Sequence, residues 1–530
     1  MTPNRRSFLA GAGGCALAAS APMFSASAQA DPRVLRFVPQ GTFNHPDPLR
    51  SLSPPARNAA HMVWDQLYGQ TLSGEVRPQM VAGHEVSDDG RVWRFALREG
   101  LRFHDGEPVR AVDAVASLRR WGKRRSIGQK ILEEADWIAA VDDRRFEIAT
   151  RAPFPGMVEM LGRDTFFLVM PERIADTPPL EPIKEFVGSG PYRFVADEWQ
   201  AGVRAVYARN GRYIPRDGRA DFLAGGKHAR FDRVEWMFIP DPATAAAALQ
   251  RGEVDWVQRP LTDLLPTLRR ASGVEVTAPD PYGLLLMLAL NRTQPPFDNL
   301  ALRRALLPAV DQVAFMQAAV GDDPALARTG VGYFTPGLGM DNDAGLAALT
   351  GTRDVALARK LVRASGYAGE RIVIPQPVDV PEQRAICEMA QALFRELGLN
   401  SDLVPQDLAS VEKRRVSREP VGNGGWSALA ITFDGLSAAD PASHQALRGN
   451  GVGGFFGWPT NPEIERRRDR WFLAPTLAEQ KGIAAAIQRS AFEQVPFVPL
   501  GRWLAAMAMR ADLSDAVEAP FPVFWNIRRG

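Results

Sequence analysis

Cysteine is almost missing from this chain. Of 530 residues two are cysteine, and Cys15 lies in an N-terminal stretch that reads as a leader. Cys387 then stands alone, which excludes an internal disulfide. Set in Ile386-Cys387-Glu388-Met389 at helical spacing, it reads as a small buried hydrophobe. Histidine is scarce too, at six residues: His45, His61, His84, His104, His228 and His444. None recurs at the i, i+3 or i, i+4 spacing that puts two ligands on one helix face, so the pattern gives no metal site and no cofactor is expected. HExxH, GxSxG and P-loop sequences are absent, and nothing singles out a carboxylate pair for acid–base work. No apolar run approaches the roughly 20 residues of a membrane helix. The formal net charge of +2 belongs entirely to Arg5 and Arg6, and no basic stripe with interleaved aromatics suggests nucleic acid. Arg466-Arg467-Arg468 reads as the solvated face of a helix.

What is present begins with an address. Asn4-Arg5-Arg6-Ser7-Phe8-Leu9 places paired arginines ahead of a weakly apolar Gly/Ala run, and Ala28-Gln29-Ala30 supplies small residues for cleavage. Residues 1–30 are expected to be a twin-arginine signal peptide, which carries folded proteins to the periplasm. A lipoprotein signal through Cys15 fits less well, because Ala12-Gly13-Gly14 lacks the leucine expected there.

The rest is too long for one core, since domains stop growing near roughly 250–300 residues. Near its middle, Leu284–Leu290 is a continuous apolar run of strand length, buried on both faces by pattern. Pro295-Pro296 follows, then Asp298 or Asn299 caps a helix with Leu302, Ala305, Leu306 and Ala309 at helical spacing. This is either a crossing between two lobes or a strand–turn–helix inside one domain. Earlier, Asp89-Gly90 predicts a hairpin whose second strand alternates Trp93, Phe95 and Leu97 against Val92, Arg94 and Ala96. Helices are predicted over 56–68, 111–121, 356–364, 382–397, 462–473 and 476–492, and strands over 34–37, 399–404, 428–433 and 521–527. Gly100, Gly106, Gly188, Gly190 and Gly252 stand at element ends, where positive φ or a C-cap is expected. Asp105 is expected to accept turn amides.

The run Phe95-Ala-Leu97-Arg98-Glu-Gly100-Leu-Arg-Phe103-His104-Asp105-Gly106-Glu-Pro108 through Val115 resembles the signature of the family 5 extracellular solute-binding proteins. These are the peptide, nickel and oligosaccharide receptors of ABC importers. Gly188-Ser189-Gly190-Pro191-Tyr192, Ala246–Val257, Asn291 with Pro296-Phe297-Asp298 and Arg303-Arg304-Ala305, and Asp354–Tyr367 resemble further family motifs in order. The resemblance implies an α/β, two-lobe periplasmic binding protein fold, type II in its large cluster C form, with an extra α+β subdomain in the first lobe. Lobe I is expected from 31–50, 187–285 and 497–530, the subdomain from 51–186, and lobe II from 286–496. It also implies a non-catalytic monomer that clamps a peptide or similar small organic solute and delivers it to an inner-membrane ABC permease.

Such clefts use aromatic walls and a few fixed polar groups. The loop residues placed nearest are Phe43, Asn44 and His45 on the first lobe, and Trp426, Asp434, Phe455, Phe456 and Trp458 on the second. Each has a plainer alternative: Phe43 as a core plug, the Phe455–Trp458 rings as packing under their own Gly-rich loop. Peptide-binding relatives hold the amine with an Asp in a Trp-x-x-Asp turn, which here falls at Phe433-Asp434-Gly435-Leu436. The arginine that dipeptide receptors use for the carboxylate falls near Gln376-Pro377, where there is none, with Arg384 one helical turn on as a substitute. These departures argue against dipeptide specificity and leave open a longer peptide or another small solute. The rival classes are an exported cofactor enzyme and a periplasmic chaperone.

Overall fold

The computed structural model describes residue 31 and residues 33–530, except Thr42 and Leu52. The leader expected over 1–30 lies outside the described residues. Two sheets organise the chain. The first has seven strands, in the order 274–277, 507–510, 256–257, 34–38, 233–237, 204–209 and 192–194. Val34–Val38 runs at its middle, parallel to both neighbours. Its Phe37 packs against Trp236, Trp256 and Phe524 at ring separations of 5.5, 5.1 and 5.0 Å.

The second sheet has four strands, in the order 327–328, 497–503, 284–290 and 428–434. Leu284–Leu290 lies between two antiparallel partners, and six of its seven residues are buried. That explains an apolar run with no alternation: both of its faces are covered. The chain passes between the sheets twice, from Thr277 to Leu284 and from Trp503 to Met507. After the first passage, Pro295-Pro296 (a cis bond) turns the chain, and the Asn299 side chain accepts the Leu302 amide at 3.2 Å to cap the helix Leu300–Leu306.

A separate antiparallel sheet, in the order 81–86, 92–97, 145–150 and 135–140, sits inside the 51–186 segment. Trp93, Phe95 and Leu97 point into its core while Arg94 is exposed, the period expected from sequence. In the second half, Ile372–Pro377 and Ser401–Gln406 pair in parallel around the helix Pro381–Glu396.

Five expectations are corrected. The helix expected over 56–68 is Pro54–Val63, because the chain must extend to pair Tyr68–Gln70 with Val76–Pro78. Residues 521–527 are not a strand, since Pro520 and Pro522 remove amide donors and Asn526 is left-handed at φ 66°. Phe497–Trp503 does not begin the return to the first lobe but pairs with Leu284–Leu290, moving the crossing to 504–506. Arg468 is buried, its Nε donating to the Pro441 carbonyl at 2.6 Å, so the arginine triplet is not wholly solvated. Gly188 and Gly190 do not have positive φ; they are needed because an added Cβ would meet the Val63 and Met62 carbonyl oxygens at 2.0 and 2.5 Å.

Candidate functional site

The site grows from the helix Pro54–Val63. Ser53 caps it, its Oγ accepting the Ala56 amide at 3.4 Å, and prolines occupy its first turn, where an amide would be unpaired anyway. Arg57 and His61 stand one turn apart, with Asn58 between them, and all three are buried. The Arg57 guanidinium lies 4.0 Å over the Phe521 ring, and the His61 ring stacks on the same phenyl at 5.2 Å.

From the second sheet, Asp434 ends the strand Ala428–Asp434. Its Oδ1 accepts the Leu436 and Ser437 amides at 3.0 and 3.3 Å, and its Oδ2 receives Arg57 Nη1 at 2.6 Å. One oxygen therefore fixes the turn and the other reaches the opposite lobe. Gly435 lets that turn lie against the crossing segment: an added Cβ would meet the Tyr282 and Gly283 carbonyl oxygens at 2.5 and 2.6 Å. The Gly435 amide donates to Gly283 at 2.8 Å.

More charges converge on the crossings. Arg259, from the first lobe, meets Glu382 at 3.6 Å and lies 5.0 Å over the Trp503 ring. Glu382 opens the helix Pro381–Glu396 of the second lobe. Arg502 Nη1 donates to the Pro336 and Pro281 carbonyls at 2.9 and 3.4 Å. Asp280, set between Pro279 and Pro281 on the crossing, accepts the Tyr282 amide at 2.8 Å. Burial, and then the charge of Asp434, push its carboxyl up to about 7. Burial, helped by Lys227 and Arg57, holds His61 well below the ordinary imidazole range.

Arg57 Nε and both amide atoms of Asn58 are buried without a hydrogen bond, and His61 has only the Thr165 backbone to interact with. From the 51–186 segment, Arg163 Nη1 pairs with Asp440 Oδ2 at 2.7 Å. Gln445 Nε2 donates to Ser126 Oγ at 2.6 Å, which donates to the Ala442 carbonyl at 3.2 Å. The 51–186 segment thus also contacts the second half of the chain.

The eight residues nominated from sequence divide. Asp434 is in the charged cluster. Phe455 packs on Phe433, the neighbour of Asp434, at 5.7 Å, and Phe456 lies beside Phe455 at 4.8 Å. Trp426 is fully buried and packs on Trp458 at 5.9 Å, beneath their own loop. Phe43 is fully buried in the first-lobe core, 5.6 Å from Trp236. Asn44 is exposed, and His45 is half-buried with Nδ1 accepting the Asp47 amide at 3.0 Å. Arg384 is exposed, 3.9 Å from Glu388. Sequence reasoning missed Arg57, Asn58, His61, Arg259, Asp280 and Phe521. Asp280 left one signal, a carboxylate clamped between two prolines ahead of a buried strand.

Two sheets joined by two crossings, with a charged cluster from both sides at the joint, define the two-lobe class of binding protein. The sequence profile of the bacterial extracellular solute-binding proteins, family 5 middle, matches residues 75–446, and the chain belongs to that family. It is 35% identical over 533 residues to the probable peptide ABC transporter periplasmic-binding protein of Sinorhizobium fredii (strain NBRC 101917 / NGR234), covering 100% of both chains. It is 24% identical over 383 residues to the nickel-binding periplasmic protein of Escherichia coli (strain K12), covering 67% of this chain and 68% of that one. The fold matches the dipeptide-binding protein of Pseudoalteromonas sp. SM9913 in complex with Met-Leu, with a TM-score of 0.77 at 19% identity over 94% of this chain and 100% of that one. The chain is a substrate-binding receptor of an ABC importer.

Proposed function

We propose that this protein captures a peptide or a similar small organic solute between its two lobes in the periplasm and passes it unchanged to an inner-membrane permease. The observation that carries this reading is Arg57 of the 51–186 segment 2.6 Å from Asp434 of the second lobe, beside the buried Asn58. Polar groups that meet only when lobes close, with spare hydrogen-bonding capacity next to them, suit a trapped polar guest. No nucleophile–base pair accompanies them, which favours holding over converting.

The same reading has residues 1–30 act as a twin-arginine leader cleaved near Ala30, and the mature chain work as a monomer. Its first lobe comprises 31–50, 187–283 and 504–530, its second 284–503, and 51–186 forms the extra subdomain. Phe455 and Phe456 serve as the aromatic side of the cleft next to Asp434.

The test is a thermal-shift screen of the purified protein over free peptides, sugars and nickel complexes, with an absorption spectrum of the same sample. A solute at 100 times its Kd is expected to stabilise the protein by about 2.7 kcal/mol. Two results sink the reading: a chromophore or metal that co-purifies while no solute shifts melting, or a probe recovered chemically altered.

A further inference from the structure

A cavity of about 330 Å³ is enclosed by first-lobe segments alone, 256–279 and 507–522, at the small end of the roughly 300–1,000 Å³ of small-molecule sites. The seven-stranded sheet builds its floor. Met509 pairs with Trp256 on one side and with Glu275 on the other, so the three side chains stand abreast on one face. Met507, two residues earlier in the strand, falls on that face as well. The segment 513–522 closes the space from above. It is tied down where Leu513–Ser514 pairs with Arg528–Arg529 and Asp515 holds Arg528 at 2.6 Å. Of the residues at the joint between the lobes, only Phe521 also lines this cavity.

Its lining has charge of one sign. Glu275, Asp515 and Glu518 stand exposed at the rim, and among the described residues that line it none is basic. Asp515 is taken up by Arg528, whereas Glu275 and Glu518 have no ion-pair partner among the described residues. Below the rim lie the buried rings of Trp256 and Phe521 and the thioethers of Met507 and Met509. Aromatic faces attract cations and thioethers are polarisable, while the same surface takes up hydrocarbon. An anion would meet carboxylates and no counter-charge. A bare metal ion has no ligand set here either, since among the described residues no three His, Cys, Asp or Glu side chains converge to hold one.

We propose that this cavity is a second binding site, for an organic cation with an apolar body, an alkyl- or aryl-substituted ammonium. The rim carboxylates face the charge, and the Trp256–Met509–Met507 floor takes the body. The second lobe contributes no lining residue, so the site fills whether the lobes are open or shut and is independent of the receptor reading above.

The experiment is equilibrium dialysis of the purified protein with benzyltrimethylammonium. Beside it run tetramethylammonium, which keeps the charge without the body, and toluenesulfonate, which keeps the body and reverses the charge. Benzyltrimethylammonium is expected to bind once per molecule, at least about fivefold more tightly than either. The double variant Glu275→Lys/Glu518→Lys, changed at two exposed positions, is expected to lose at least about fivefold in that affinity. Asp434→Asn, at the joint between the lobes, is expected to leave it unchanged. Should the double variant fold poorly, the ranking of the three probes on the unaltered protein still decides. The proposal is overturned by the absence of saturable binding, by either control probe binding as tightly, or by E275K/E518K binding as before. Loss of binding in D434N would place the cation at the joint and overturn it too.

Discussion

A histidine buried against carbonyls and rings is a pH liability that a list of residues does not reveal. His444 is fully buried, its Nε2–H donating to the Tyr333 carbonyl at 2.8 Å while Nδ1 has no partner and the ring stacks on Phe433 at 5.3 Å. Charging it would put a second N–H where nothing accepts it, and burial accordingly brings its pKa down to about 4. His104 is held neutral in the same way: Nδ1 accepts the Gly188 amide, Nε2–H donates to the Gly190 carbonyl, each at 3.2 Å, and its pKa is also about 4. Because these folded values lie below the unfolded 6.5, their stability contribution is complete above pH 6.5 and is lost as pH falls toward 4. Each such group gives a slope of about 1.4 kcal/mol per pH unit. Asp280 has the opposite sign: its raised pKa lets the folded state keep a proton, so its effect destabilises as pH rises from about 4 to 7. His444→Gln is expected to flatten the pH 6-to-4 loss of stability by about 1.4 kcal/mol per unit, read by urea denaturation. An unchanged slope would mean His444 is not neutral in the native protein. At this scale the sequence was legible only where a motif pointed. Asp434 stood at a recognisable turn, but its partner Arg57 lies 377 positions away, and no local pattern encodes a contact that only the folded chain makes.

The elements were more readable, because periodicity is a local property. Leu284–Leu290, the alternating Val92–Leu97 and the helix Pro462–Leu473 all fall where apolar spacing places them. The tail over 521–527 did not, since its apolar residues Phe524 and Ile527 fill the first-lobe core without strand pairing. The glycines of the Gly188-Ser189-Gly190 motif were assigned the wrong reason for the right position. They let the chain dock on the end of the helix that carries Arg57 and His61: the Gly190 amide donates to Val63 at 2.8 Å, and Trp64 Nε1 to Val187 at 3.0 Å. Gly188→Ala would drive its Cβ to 2.0 Å from the Val63 carbonyl, a backbone atom that cannot swing away. The expected cost is about 1–3 kcal/mol in chemical denaturation, with weaker solute binding because the site helix is displaced. Gly83→Ala, where φ is not positive and nothing lies within 4 Å, is the matched control and should change stability little. Equal effects at the two positions would show that close approach is not what the motif provides.

At the scale of the whole molecule, two lobes were legible from length and motif order, whereas the residue at which the chain crosses back was not. An apolar strand such as Phe497–Trp503 suits either sheet, and only its pairing with Leu284–Leu290 decides. The crossings also set a lever. Arg57–Asp434 and Arg259–Glu382 lie close to them, while Arg163–Asp440 joins the 51–186 segment to the second lobe. Asp440 is 2% exposed and its Oδ1 accepts the Ala442 and Ser443 amides at 2.9 Å each. Arg163→Met therefore leaves a charged carboxylate enclosed when the lobes are shut and hydrated when they part. Losing one member of a buried pair costs about 3–5 kcal/mol, here charged to the closed form alone. A ligand that binds only the closed form then loses apparent affinity in proportion to the closed fraction. Small-angle scattering of R163M is expected to give a larger radius of gyration than the unaltered protein, restored by saturating solute, with affinity reduced at least about tenfold and most of the loss in the dissociation rate. If R163M instead keeps its radius and its affinity and only melts earlier, this pair belongs to the fold and the lobes do not move about these crossings.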